Sequence, residues 1–343
     1  MIVHQTRTSD WNIVGHEHAV DILRRTLATE QVRHAYLFVG PQYIGKSLLA
    51  HRFAQTLLCT RGADLRIAPL DPCNTCLSCR KVLHGNHPDV HVIARPPDKQ
   101  AILIEQIRML QSDAARRTLE GRRNIFIIQD AHEMNLQAAN CLLKTLEEPE
   151  ADVVLLLTVP ETGLLLPTIL SRVQLINMQS LPVTQIKSAL IQQWEVEPQK
   201  ADLIAALAAG RMGWAVQAVE DDEMLTERKE QLDLLTKALT ASKVQRFDIV
   251  QRLGTDGDKI RSLLELWLLW WRDIVLAAND CLDLTVNVDM RDLLKTQAAK
   301  IGSSEAQRMI PTILQTQETL AQNVNARLTL EVLMLDMPTL KMS

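Results

Sequence analysis

Short apolar runs alternate with amphipathic stretches through the first half of the chain. Tyr36–Val39, Val90–Ile93, Ile125–Ile128 and Val153–Thr158 read as buried strands, with a short fifth near Gln174–Ile176. The stretches between them carry apolar residues at helical spacing. This alternation predicts βα units and a parallel sheet over residues 1 to about 178. Residues 179 to about 225 read as short helical segments broken at Pro182, Pro198 and Gly210. From about 226 to 343 Pro and Gly become scarce, and Leu263, Leu264, Trp267, Leu268 and Trp271 fall on one helical face. That end predicts a helical bundle.

Composition narrows the class. Apolar residues make up 47% of the 343-residue chain and charged residues 23%, the balance of a folded globular protein. Lys and Arg total 37 against 41 Asp and Glu, for a net charge of -4, which excludes a wholly basic nucleic-acid coat protein. No apolar run approaches the ~20 residues of a membrane helix. Residues 1–10 are polar and lack an apolar signal core, so the expectation is a cytoplasmic protein with no membrane partner.

Cysteine placement adds the first chemistry. Cys73, Cys76 and Cys79 form C-x2-C-x2-C, and Cys59 lies upstream; Cys141 and Cys281 stand alone. Two-residue gaps let neighbouring thiolates turn back onto one metal, and Asp71-Pro72 with Asn74 supply turns. In a cytoplasmic chain the pattern favours a structural Zn²⁺ over disulfides, with His84 and His87 as alternatives to Cys59.

A phosphate loop supplies the second. Gly40-Pro41-Gln42-Tyr43-Ile44-Gly45-Lys46-Ser47 fits G-x4-G-K-S between the strand Tyr36–Val39 and the helical stretch Leu48–Leu58. The glycines let backbone N–H groups face a phosphate at a helix N-terminus. Lys46 would neutralise the β- and γ-phosphates of ATP, and the Ser47 hydroxyl would hold Mg²⁺. Hydrolysis also needs two acidic residues after a second strand. Here Ile125–Ile128 is followed by Gln129-Asp130-Ala131-His132, one carboxylate where two are required. Hydrolysis by this chain itself is therefore not expected.

Further segments carry a resemblance. They are Val14-Gly15-His16, the run Arg33–Phe38 into the phosphate loop, the cysteine module after the first helix, and Ile104–Arg108. Asn140–Pro149, Thr158 and Leu166-Pro167-Thr168-Ile169-Leu170-Ser171-Arg172 complete the set. Together they resemble the bacterial DNA polymerase III clamp-loader subunits, a branch of the AAA+ ATPases. The resemblance covers most of the first 215 residues. It implies an α/β plus all-α protein of three domains. These are a RecA-like P-loop domain (1–178) with a zinc insertion at about 59–79, a helical lid (179–225) and a helical collar (226–343).

Within that family the chain looks like the stator rather than the motor subunits, tau and gamma. Gln129 and Asp130 stand at the family's metal-binding Asp and its Glu, Thr158 at sensor 1, and Gly213 at the sensor-2 arginine, with Arg211 nearby. Val173 replaces the Cys of the Ser-Arg-Cys motif. The resemblance makes Arg172 an arginine finger acting in trans on a neighbouring motor subunit. It implies a hetero-oligomer with tau/gamma and delta that places the β sliding clamp on primed DNA. Enzyme status would come by membership of the polymerase III holoenzyme.

Other features are read more plainly. Arg116, Arg117, Arg122 and Arg123 form a basic face that could meet DNA phosphates, although a solvated face is the simpler reading. The Trp267–Trp271 cluster reads as bundle packing, His132 as a residue beside the nucleotide site, and Glu147-Glu148 as a helix end before Pro149. Two rival functions remain: an active motor-type ATPase in which Asp130 suffices for Mg²⁺, and a zinc- and DNA-binding module with no nucleotide role.

Overall fold

The computed structural model describes residues 11–61, 67–321 and 324–340. The polar start at residues 1–10, on which the reading of no signal core rests, lies outside them. The chain forms two compact units. One comprises residues up to Ile186 together with Gly210–Trp214, and the other Lys187–Ala209 with residues from Ala215 on. The predicted lid segment is thus divided between the two.

The first unit is built on five parallel strands: β1 (Ala35–Val39), β2 (Val90–Ile93), β3 (Asn124–Ile128), β4 (Val153–Val159) and β5 (Gln174–Asn177). Their order is β2-β3-β4-β1-β5, with Ala35 opposite Leu155 and Asn124 opposite Val153. The predicted strands are all present, and β1, β3, β4 and β5 are each one residue longer than read. Every residue of β1, β3 and β4 is buried, as expected for a sheet covered on both faces.

Period-two geometry sorts the strand side chains into two cores. Tyr36, Phe38, Ile125, Ile127, Val154 and Leu156 pack with helices α1 (Glu17–Ala28) and α2 (Lys46–Leu58). Leu37, Val39, Phe126, Ile128, Leu155 and Leu157 pack with α4 (Ile104–Ala114) and α5 (Leu136–Glu147) on the other face. The short helix α3 (Leu77–Leu83) follows α2, and α6 (Pro167–Leu170) precedes β5. Because the strands are parallel, the carboxyl ends of β1, β3 and β4 lie along one edge of the sheet, with β1 between β4 and β5. Ligands of such sheets bind at that edge.

The helices α7 (Val183–Trp194) and α9 (Met212–Glu220) each run across the division between the units, and α8 (Pro198–Leu207) lies in the second. The second unit continues with α10 (Glu223–Thr240), α11 (Lys243–Leu253), α12 (Gly257–Ala278), α13 (Arg291–Ile301), α14 (Ser303–Ala321) and α15 (Ala326–Asp336). Asp256 caps α12 by accepting from the N–H groups of Asp258 and Lys259. Trp267, Trp270 and Trp271 are fully buried in its core, so they are packing residues and not an exposed stacking surface. Two polar clusters fix this unit. Asp273 accepts from the backbone of Val286 and Asn287 and from the Asn287 amide. Arg246, 2% exposed, donates to the carbonyls of Ala238, Met334, Met337 and Pro338 and to Thr339 Oγ1.

Candidate functional site

The phosphate loop leaves β1 and turns into α2. Gly45 closes it at φ 112°, a conformation that side chains with a Cβ rarely adopt. Three ties hold the loop. The Lys46 ammonium, 6% exposed, donates to the carbonyls of Gly40 (2.8 Å) and Pro41 (2.9 Å). His16 Nε2 lies 3.0 Å from the Ile44 carbonyl. The Gly213 N–H donates to the Tyr43 carbonyl at 2.7 Å. A Cβ at Gly213 would stand 2.7 Å from that same oxygen. Where the resemblance places a sensor arginine, backbone packs directly against the loop, and the nearby Arg211 guanidinium lies over Trp214 at 5.9 Å.

The end of β3 is poor in acid. Asp130 sits at φ 48°, and its N–H donates to Thr158 Oγ1 at 2.9 Å. The two positions singled out as sensor and acid are thus brought together. Glu133, the next carboxylate along, is engaged by Arg95 at 3.1 Å and supplies no second acid here. His132 lies with Met134, Leu136, Leu164 and Pro167 around a cavity of about 350 Å³. The donor set of the loop suits a phosphate, but one carboxylate and one amide do not make a hydrolytic pair.

The cysteine module assembles as the spacing predicts. The sulfurs of Cys59, Cys73, Cys76 and Cys79 all lie within 4.8 Å of one another. Zn–S bonds of about 2.3 Å imply a tetrahedron with edges of roughly 3.8 Å. Backbone N–H groups point at the sulfurs: Arg61 and Cys73 at Cys59, Cys76 at Cys73, and Cys79 at Cys76, at 3.3–3.4 Å. Such donation favours thiolates. Burial pushes the Cys73 thiol up, but N–H groups of Cys76 and Thr75 outweigh it and bring it to about 6. Burial pushes Cys59 and Cys79 up, a cost that a central dication would offset. Cys59, not His84 or His87, completes the cluster.

His87 has another task. With Ser78 and Asp89 it resembles a nucleophilic triad, Ser78 Oγ lying 3.1 Å from His87 Nε2. The proton directions exclude that chemistry. His87 Nδ1 accepts from the Asp89 N–H, so Nε2 donates, and the Ser78 hydroxyl donates to the Leu58 carbonyl. The Asp89 carboxylate is filled by the N–H groups of Leu119, Glu120 and Gly121. The trio fastens α3 to the end of α2. Arg122 donates to the Cys59 carbonyl, and Asp71 receives both Arg24 and Trp11 Nε1. The expected basic face is accordingly part scaffold: Arg122 braces the cysteine module, and Arg116 pairs with Asp113.

Arg172 stands just beyond α6, on the segment leading into β5. Its side chain is 34% exposed; Nη1 donates to the Thr168 carbonyl (2.9 Å) and Ser171 Oγ (3.1 Å), and Nη2 meets Glu147 Oε1 at 2.8 Å. The Glu147 partnership was not legible in sequence, because 25 residues separate the pair.

The sequence matches known proteins. A family model described as "DNA polymerase III, delta subunit" matches residues 15–182, and its C-terminal counterpart matches 222–339. The chain is 30% identical over 318 residues to DNA polymerase III subunit delta' of Bacillus subtilis, covering 92% of this chain and 93% of that one. It is 40% identical over 142 residues to delta' of Pseudomonas aeruginosa, 41% of this chain and 42% of that protein. It is also 30% identical over 261 residues to subunit tau of Escherichia coli, 74% of this chain and 37% of that longer protein.

Proposed function

Since the chain belongs to the delta' family of DNA polymerase III subunits, we propose that it is a stator of the clamp loader, which completes a neighbour's ATP site and does not turn over its own. It works in a hetero-oligomer with tau/gamma-type and delta subunits, placing a ring-shaped clamp on primed DNA in the cytoplasm. Among the described residues no helix is long and apolar enough to cross a membrane. The reading keeps the three-part organisation into P-loop domain, lid and collar.

One observation carries the stator role: a complete phosphate loop stands beside a single carboxylate, Asp130, with the neutral amide of Gln129 before it. A motor site needs two acids at the strand end. ATP with Mg²⁺ would be held by Gly40, Gly45, Lys46 and Ser47, with Asp130 and Thr158 alongside. Zn²⁺ would be held by Cys59, Cys73, Cys76 and Cys79. Four protein ligands leave no open position, so the metal would be structural.

Arg172 is the residue through which the chain acts on its neighbour. A guanidinium presented to a transferring phosphoryl group stabilises the charge there, and in GTPases the effect is worth about 10³-fold or more. The test is ATP turnover by the reconstituted loader on primed DNA, with wild-type chain or Arg172→Ala. A large loss with assembly intact supports the reading, and unchanged turnover overturns it. The intact Lys46-Ser47 pair favours one rival, a motor-type ATPase. Steady turnover by the isolated chain, lost in Lys46→Ala, would establish that rival instead.

A further inference from the structure

We infer that Glu147 is a positioning residue for Arg172, holding its guanidinium at the end of α5 until a phosphate of the neighbouring subunit takes the carboxylate's place. The inference rests on the trans role of Arg172 proposed above.

The geometry is asymmetric. Nη1 is bound to Thr168 of α6 and to Ser171 just after it, both within four residues of Arg172, and Nη2 reaches across to Glu147. A phosphoryl oxygen could therefore replace one partner and leave the local anchor intact. Guanidinium N–H groups donate to carboxylate and phosphate oxygens alike, so a phosphoryl oxygen can accept from Nη2 in place of Glu147 Oε1.

Helix physics does not account for Glu147. It is the last residue of α5, where the helix dipole disfavours a negative charge, and Glu148-Pro149 ends the helix without it. Its evident favourable contact is with Arg172. The pair is exposed, at 34% and 51%, and such pairs are weak. A weak contact suits a resting position, because a tight buried one would keep the arginine from its neighbour. Parking of this kind lowers the fraction of loaders with Arg172 engaged by about two- to fivefold, the range that exposed ion pairs provide.

Two measurements separate this contact from the finger role itself. In the free chain, phenylglyoxal modification of Arg172, followed by peptide mass spectrometry, is expected to be two- to fivefold faster in Glu147→Gln. Arg24, bound to Asp71, serves as the unchanged internal reference. An unchanged Arg172 rate would overturn the parking contact and leave the finger reading standing. In the reconstituted loader without primed DNA, Glu147→Gln is expected to raise kcat for ATP two- to fivefold at constant KM. The gain should vanish in Arg172→Ala. A fall in kcat, or an equal gain in the Arg172→Ala background, would overturn the inference. If Arg172→Ala alone leaves turnover intact, the finger reading fails and takes this one with it.

Discussion

The N–H of Gly213 and the carbonyl of Tyr43 meet at 2.7 Å, so the start of α9 is hydrogen-bonded to the crown of the phosphate loop. Tyr43 holds φ at 60° there, an unusual conformation for a residue with a bulky side chain. The bond helps to keep that carbonyl where it is. Glycine is required because any Cβ would crowd backbone, which cannot swing away as a side chain can. Gly213→Ala should therefore destabilise the first unit by about 1–3 kcal/mol, the usual cost of overpacking. The same change should accelerate amide hydrogen exchange at Ile44 and Gly45. Unaltered exchange in that loop would show that the contact does not hold it.

The cysteine cluster makes a chemical prediction. Purified chain should carry one zinc, with Cys76→Ser losing it and lowering the melting temperature, while Cys141→Ser and Cys281→Ser keep it. Structural zinc contributes directly to folding free energy, so chelation should mimic Cys76→Ser. Metal analysis alongside a thermal melt decides the point.

Arg246 is a buried cation whose five acceptors are four carbonyls and a hydroxyl, three of the carbonyls at the end of α15 and just after it. Carbonyls at a helix C-terminus lack partners within the helix, and their partial negative charge favours a cation. Arg246→Met should cost about 3–5 kcal/mol in chemical denaturation, because several buried acceptors lose their donor together. A loss below about 1 kcal/mol would mean that water replaces the guanidinium freely.

A pH dependence follows from His16. Burial lowers its pKa from 6.5, against the opposing effects of the Ile44 carbonyl and Glu17. The native state thus binds this proton less readily than the unfolded chain. Its contribution is fully present above about pH 6.5 and declines as pH falls from there toward the lowered native pKa. His87, lowered chiefly by burial, contributes in the same direction. Stability measured from pH 7 to pH 5 should fall less steeply in His16→Gln, with a residual slope from His87. An identical slope would exclude His16 as a contributor.

The features legible in sequence were those written in local spacing. Short apolar runs marked β1 to β5, and G-x4-G-K-S and C-x2-C-x2-C marked two chemistries, because both motifs need residues at fixed short intervals. The single acid after β3 was legible for the same reason. Glu147 with Arg172, Gly213 with Tyr43, and Arg246 with the end of α15 are products of tertiary packing, and no local pattern announces them. The grouping of Gly210–Trp214 with the sheet unit is of the same kind: the Leu181 N–H bonds the Gly210 carbonyl and Gly213 bonds Tyr43, contacts that breaks at Pro182, Pro198 and Gly210 do not announce.

Helix α2 begins at Lys46 and ends at Leu58, immediately before Cys59, which caps it. Thirteen residues at 1.5 Å each make a rod of roughly 20 Å, with the phosphate-loop lysine at one tip and a sulfur of the four-cysteine cluster just past the other. A thiolate locked into a metal tetrahedron would act as a splint on the far tip, suppressing fraying that could otherwise travel toward the lysine. Zinc status would then be felt at the nucleotide crevice without any ligand moving between them. Amide exchange along α2, compared before and after chelation, would trace that mechanical link turn by turn.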